Sequence, residues 1–482
     1  MQPAPPERVF MTALSAKLKR YFAPMDMTEG NSLRQIIRFS IPLLIGNFAQ
    51  QMYSTVDAIV VGNYIGDDAL GAVGLSFPVM MLIFALFIGV GTGAGITVSQ
   101  YYGAKNRQML NTAVGSIVML ALWASVACTA LGVLITRPLL VLLGTPDAML
   151  DMAVTYLQIY FAGITAVVFF NILCGMLRGL GDSVSPLLYL FIASGLNIVL
   201  DILFVTQFGM TTDGVALATV ISQTLTAWLA YRKLTHMRDV LTVDRSVLKL
   251  NREVVRKIFK LGLPVGATQA IFSIQAILVQ SLMNSMGPMV VTMYTAVMRV
   301  DGFIMMPNFT FGAAATTFTA QNYGAKKLAR IRQGQRDTLK AALACSLVLM
   351  VCILLFGRQL MSVFTTTEAV VTLGARMLRI LAAGYVAFAV LQTFAGTMNG
   401  MSQTTIPMIL SVITTIGIRL PLAYLLAWLT RSELWPNGNP DAIYFSLLSA
   451  WVFNMVSTML IFKYGKWRKR AESRLMTEEE VR

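Results

Sequence analysis

Three carboxylates stand inside long apolar stretches of this 482-residue chain: Asp57 in QQMYSTVDAIVVG (50–62), Asp201 in LNIVLDILF (196–204) and Asp301 in AVMRVDGF (296–303). Gln50, Tyr53 and Asp57 recur at i, i+3 and i+7, so on a helix they form one stripe. Asn197 and Asp201 are four apart and also share a face. Carboxylates with amide and hydroxyl neighbours can hold a proton, a sodium ion or a cationic ligand; within a membrane each costs several kcal/mol unless it faces a cavity or a partner. The alternative is a hydrogen-bond clamp between helices. Asp301 follows Arg299 by two residues, which do not face each other on a helix, leaving it a choice between a cavity role and a packing role.

The elements around these residues are set by composition. Hydrophobic residues make up 56% of the chain and charged residues 13%, and the mean hydropathy is +0.67, values that define a membrane protein. The apolar runs are long enough to cross a ~30 Å hydrocarbon core as helices and lack the period-2 alternation of barrel strands. Twelve spans are expected, near 36–60, 69–98, 110–135, 152–175, 186–206, 213–232, 259–282, 290–318, 339–357, 374–398, 406–430 and 442–463. The net charge of +15 is concentrated in alternate loops, with clusters at 232–260, Lys326–Lys340 and Lys463–Arg470, while loops such as GDD (66–68) are acidic. That is the positive-inside pattern. It excludes a nucleic-acid reading and puts a multi-pass protein in the cytoplasmic (inner) membrane with both termini cytoplasmic. The first thirty residues are polar, with no cleavable signal expected, and RVFMTALSAKLKRYF (8–22) reads either as a short amphipathic segment on the inner leaflet or as a frayed tail. Cys128, Cys174, Cys345 and Cys352 all fall within or at the ends of apolar spans and read as small packing residues.

The chain is duplicated. FSIPLLIGNFAQ (39–50) aligns with KLGLPVGATQA (260–270), SQYYGAK (99–105) with AQNYGAK (320–326), and CGMLRGLGDSVSP (174–186) with AGTMNGMSQTTIP (395–407); Gly163 pairs with Gly384. The shift is 221 residues, or 222 at Pro42 and Pro264. Six spans per half give both halves one orientation, a parallel repeat about an axis along the membrane normal. The expected organisation is a cytoplasmic tail (1–33), an N-lobe of six spans (34–232), a basic cytoplasmic linker (233–257), a C-lobe of six spans (258–464) and a cytoplasmic tail (465–482). Two six-helix bundles facing a shared cavity are a frame for rocking transport.

Other motifs carry less. GVGTGAG (89–95) has no preceding strand and reads as a close-packing surface for helices. His236 lies in the basic loop and makes no metal site alone. Most of the thirty methionines read as core or lipid-facing, with some suited to loose apolar binding. Prolines 42, 78, 186, 264, 307, 407 and 421 are placed to kink or hinge spans. The absence of a G-x-x-x-x-G-K-[ST] motif leaves an ion gradient or the substrate itself as the energy source.

Residues 27–66, the paired YGAK loops, GMLRGLGDS (175–183), and LNIVLDILF followed by GVALATVIS (214–222) together resemble the multidrug and toxic compound extrusion (MATE) family over about residues 27–465. The resemblance implies an all-α protein of twelve transmembrane helices in two pseudo-symmetric bundles. It implies a secondary antiporter that exports organic, mostly cationic and amphipathic compounds in exchange for protons or sodium, with no other cofactor. By resemblance, Asp57 is the coupling aspartate of span 1, Asn197 and Asp201 the pair of span 5, and Thr219 the hydroxyl of span 6 that completes a cation site for H+ or Na+. Gln50, Tyr53 and Asn171 are similar to residues around that site, and Pro42 to the proline at which span 1 bends. Spans 7 and 10 lack the carboxylates that one branch keeps in its second lobe, so the chain resembles the DNA-damage-inducible-type branch. A flippase for lipid-linked saccharides is the alternative; Arg376, Arg379 and Arg419 speak for it, and the missing arginine cluster in the N-lobe speaks against it. An enzyme is not expected. The expected partners are small amphipathic molecules and membrane lipids, with one chain as the functional unit.

Overall fold

The computed structural model describes residues 24–64, 67–142, 147–242, 246–365 and 367–467; within its helices, 53–64, 67–79, 81–84, 86, 142 and 147–149 are described by backbone course alone. The amphipathic candidate 8–22 and the tail beyond 467 lie outside the described residues. In chain order the helices are α1 Ser32–Tyr64, α2 Asp67–Gly103, α3 Arg107–Leu142, α4 Asp147–Ala162, α5 Ile164–Gly179, α6 Val184–Thr206 and α7 Thr212–His236. They continue as α8 Arg252–Ser285, α9 Pro288–Gly324, α10 Leu328–Ser362, α11 Glu368–Gly400, α12 Thr405–Leu429 and α13 Asp441–Tyr464. Within α12, Ile413–Arg419 is π-helical. The described residues form thirteen helices; α4 and α5 are bent by 53° at the Gly163 break, and counted as one span they leave twelve, six in each bundle.

The hydropathy runs locate the hydrocarbon rather than the helix ends. Helix α2 continues to Gly103 and α10 begins at Leu328, because their polar turns find partners in the opposite lobe. The run 152–175, expected as one span, is broken. A Cβ placed on Gly163 would lie 2.2 Å from Val220 of α7, so no larger residue fits at the break. The equivalent Gly384 is also crowded, with Trp451 at 2.7 Å from such a Cβ, yet α11 runs through it unbroken.

The repeat is geometric as well as sequential. Lys105 and Lys326 share a left-handed conformation (φ 54° and 58°), as do Gly181 and Ser402 (φ 84° and 63°). After α2 the amides of Ala104, Lys105 and Asn106 donate to the carbonyls of Gln100, Tyr102 and Tyr101; after α9 those of Ala325, Lys326 and Lys327 donate to Gln321, Tyr323 and Asn322 in the same pattern. Inside each lobe the same crossing recurs. A Cβ on Gly175 of α5 would stand 2.8 Å from the Gly91 carbonyl of α2, and one on Gly396 of α11 would stand 2.3 Å from the Gly312 carbonyl of α9. Small residues let these backbones approach where lipid provides no hydrophobic drive.

The two lobes meet in the half of the molecule that carries the basic loops. GVGTGAG presents two faces: Gly91 and Gly95 pack on α5, while Gly89 and Gly93 pack on Gly262 and Gly266 of α8 in the other lobe. At the basic end the backbones of Gly103 and Gln321 touch, and so do those of Gly324 and Gln100. The segment before α1 threads this seam, with Met27 and Thr28 buried. The Met27 amide donates to Gln321 Oε1 at 2.8 Å, and the Met25 amide to the Leu180 carbonyl at 3.2 Å.

Candidate functional site

In the N-lobe the polar centre is carried by α6 and α7, which pack side by side. Asn197 (1% exposed) and Asp201 (0% exposed) lie one turn apart on the buried face of α6. Asn197 Nδ2 donates to Thr219 Oγ1 at 3.3 Å, and Thr219 Oγ1 donates onward to the Val215 carbonyl of its own helix at 3.1 Å. This brings together three of the expected residues. A carboxylate, an amide oxygen and a hydroxyl oxygen in so dry a setting offer the hard oxygen donors suited to a proton or a small cation.

The remaining candidates are distributed differently. Asn171 on α5 donates Nδ2 to the Val167 carbonyl of its own helix at 2.8 Å, and that bond joins it to its own turn rather than to the Asn197 pair. Gln50 is exposed on α1. The Tyr53 and Asp57 side chains lie outside the described residues, although both positions belong to the continuous helix α1. Pro42 sits inside that helix, on the wall of a groove of about 720 Å³ that also includes Met25, Arg34, Arg38, Gly181 and Ser183.

Helix α1 is held on two sides. Gly46 faces Leu187 and Leu190 of α6. Across the lobe boundary Asn47 Nδ2 donates to Thr310 Oγ1 of α9 at 3.1 Å, and Phe48 meets Phe303 with ring centroids 5.4 Å apart.

Sequence reasoning left Asp301 undecided. It is half-buried on α9, and its Oδ1 accepts from the Tyr385 hydroxyl of α11 at 2.8 Å. Tyr385 is wholly buried and packs on Trp451. Arg376, one of the arginines that suggested a flippase, pairs with Asp441, and Arg379 is exposed, so with Arg419 they form no cluster. Two groups were missed as chemistry. Gln100 Nε2 reaches across to the Gly400 carbonyl at 2.9 Å and Ser402 Oγ at 2.8 Å. Its repeat-mate Gln321 donates Nε2 to the Gly179 carbonyl at 3.1 Å. The signal was present in the paired Q-x-Y-G-A-K motifs, which were read only as a repeat. Asp182, in the loop before α6, accepts from Ser185 Oγ (2.6 Å) and from the amides of Ser185 and Val184. Burial pushes its carboxyl up, and these bonds pull it partly back.

Two six-span lobes with a duplicated seam and a buried polar centre define a membrane transporter. The MatE family model matches this chain twice, at residues 42–203 and 264–425, once in each half of the repeat. The chain therefore belongs to the MATE family, whose members are transporters and not enzymes. It is 30% identical over 455 residues to the probable multidrug resistance protein YoeA of Bacillus subtilis, covering 92% of this chain and 96% of that one. It is 24% identical over 467 residues to the probable multidrug resistance protein NorM of Thermotoga maritima, covering 93% and 95%. Among solved structures it superposes with a TM-score of 0.84 and 26% identity on an outward-facing MATE family transporter, covering 94% of this chain and 99% of that one.

Proposed function

We propose that the protein is a secondary multidrug efflux antiporter, exporting organic, mostly cationic amphipathic compounds in exchange for protons or sodium. The buried Asn197–Thr219 contact with Asp201 one turn away carries this reading. Helices α1 and α6 both start at the basic end and pack at Gly46 against Leu187 and Leu190. Eleven residues further along each helix, ~16 Å at the α-helical rise, Asp57 comes level with residues 198–201. Asp57, Asn197, Asp201 and Thr219 are then the ion-coupling set, whose oxygens also suit Na+, with Gln50, Tyr53 and Asn171 toward the substrate cavity. Two carboxylates sharing a desolvated site favour binding of one proton or one cation, and a cationic substrate competes for the same charge.

The basic end faces the cytoplasm, both termini with it, and the seam closed there is the cytoplasmic closure of an outward-facing state; the likeness to an outward-facing relative supports this. Access alternates by rocking of the lobes, with Pro42 as a hinge in α1. The lobes are 34–232 and 258–464, joined by the linker 233–257 and flanked by the tails 1–33 and 465–482, and one chain is the working unit within its lipids.

The test is efflux of a rhodamine ethyl ester, an organic cation, from proteoliposomes under a pH gradient and a sodium gradient imposed separately. One gradient should drive export, and Asp57→Asn and Asp201→Asn should each abolish it. Transport by both variants at the parental rate across pH and sodium would refute the coupling set.

A further inference from the structure

The two lobes carry opposite charge on equivalent helices, one turn apart. Pro186 of α6 and Pro407 of α12 pair at a shift of 221. Beyond them, G-L-N-I-V-L-D-I-L (195–203) aligns with G-I-R-L-P-L-A-Y-L (417–425) at a shift of 222. The extra residue is taken up by the π-helical segment Ile413–Arg419, since a π turn inserts one residue and such turns gather at functional sites. Arg419 therefore holds the place of Asn197, and the apolar, fully buried Ala423 holds the place of Asp201.

The Arg419 side chain is unusual in its surroundings. Its Nε is buried and has no hydrogen-bond partner. Asp301 and the hydroxyls of Tyr294 and Tyr444 act on it electrostatically. Asp301 already accepts from Tyr385 at 2.8 Å, and Tyr444 donates to the Met293 sulfur at 3.6 Å. A guanidinium is a fork of donors with no acceptor, and a buried donor left without an acceptor is costly. Tyr385, the partner of Asp301, packs on Trp451 at 5.8 Å, and Phe388 packs on the same ring at 5.3 Å. The cluster also borders the other lobe. Gly302, next to Asp301, faces Gln51 of α1, and Phe303 meets Phe48.

We propose that Arg419 is an anion subsite of the C-lobe, taking a carboxylate or similar single acidic group of an aromatic substrate whose basic nitrogen is held by the N-lobe carboxylates. This rests on the export reading and narrows its substrate class to zwitterionic amphipaths. Arginine suits the role because its fork matches a carboxylate in two parallel bonds.

The test compares two probes with identical ring systems, a rhodamine with a free carboxylate and its ethyl ester, binding to the protein in nanodiscs by fluorescence polarisation without any gradient. The wild type should bind the free acid about tenfold more tightly than the ester, the scale of one charge-assisted hydrogen bond. Arg419→Gln should bring the ratio to near one while ester affinity stays within about threefold, and Arg419→Lys should keep part of the preference. Benzoate, but not benzamide, should displace the acid from the wild type, a readout that needs no variant to fold. Equal wild-type affinity for acid and ester, or a ratio unmoved by Arg419→Gln, would overturn the proposal. Gradient-driven export of the ester alongside either result would leave the export reading intact, so the two failures are distinct.

Discussion

Gly103 and Gln321 meet backbone to backbone: a Cβ placed on Gly103 would stand 1.9 Å from the Gln321 carbonyl oxygen, and one on Gly324 would stand 1.9 Å from that of Gln100. The same motif, repeated once in each lobe, thus closes on its own copy. Neither contact can be relieved by turning a side chain, because the opposing atom is a carbonyl of a continuous helix. Each Gln also extends its side chain past the seam, Gln100 to Gly400 and Gln321 to Gly179, which tightens the same closure from both sides.

Gly103→Ala should therefore loosen the seam. Overpacking of a closed interface costs roughly 1–3 kcal/mol, which corresponds to about a 5- to 150-fold shift between two arrangements. Pulsed EPR between labels at Lys105 and Lys326, in a background without native cysteines, should show a longer distance gaining population, and Gly324→Ala should do the same. An unchanged distance distribution in both variants would show that the seam accommodates the methyl group and does not gate.

Arg330 pins the segment ahead of α1 to the C-lobe. Its Nε donates to the Met27 carbonyl at 3.0 Å, Nη1 to Gly30 at 2.7 Å, and Nη2 to Glu29 at 2.9 Å and Gln35 Oε1 at 2.8 Å. Lysine keeps the charge but loses the fork. Arg330→Lys and Arg330→Ala should both speed amide hydrogen exchange at residues 25–30 by about tenfold or more, with little change inside α10. Exchange that stays at the parental rate would mean that the buried Met27 and Gln321 hold the segment without the arginine.

Much of this architecture was legible in the sequence, for identifiable reasons. Hydropathy runs report the membrane directly, and the 221-residue shift reports the duplication because the turns after α2 and α9 need the same left-handed residue at Lys105 and Lys326. Asn197 and Asp201 were legible because a spacing of four fixes a common face. The break at Gly163 was not legible, since its repeat-mate Gly384 is the same residue and lies in an unbroken helix. Nor was the Asp301–Tyr385 bond, whose partners lie 84 positions apart on different helices; spacing within one helix says nothing about a neighbour's register. The π-helical segment of α12 is visible only as a one-residue slip between the halves, and that slip acquires meaning once the wide turn is seen.

The contact between Asn197 and Thr219 supports a non-additive pair of variants. At 3.3 Å the hydrogen bond is worth about 0.5–1.5 kcal/mol, and both residues belong to one proposed site. Asn197→Ala and Thr219→Ala should each weaken ion-dependent export about three- to tenfold, read as the proton or sodium concentration giving half-maximal rate. The double variant should be little worse than either alone. Fully additive losses would indicate two independent roles and would separate Thr219 from the ion site.

Tyr385→Phe tests what holds Asp301. The change removes one hydroxyl from a wholly buried ring and leaves Asp301 Oδ1 without its donor, and leaving a buried acceptor unsatisfied costs about 1–3 kcal/mol. The variant should melt several degrees below the wild type in detergent. Asp301→Asn keeps an acceptor for the hydroxyl and should cost less. Tyr385→Phe combined with Asp301→Leu, which removes both partners, should recover part of the loss, giving an interaction energy of roughly 0.5–3 kcal/mol in the cycle formed with the two single variants. No coupling between the positions would mean that the tyrosine is held by its packing on Trp451 and that Asp301 is satisfied from the lobe boundary instead. In that case α9 and α11 would still be joined by their close glycine crossing at Gly312 and Gly396, by the Asn308 amide bonded to the Tyr385 carbonyl, and by Phe309 against Phe388.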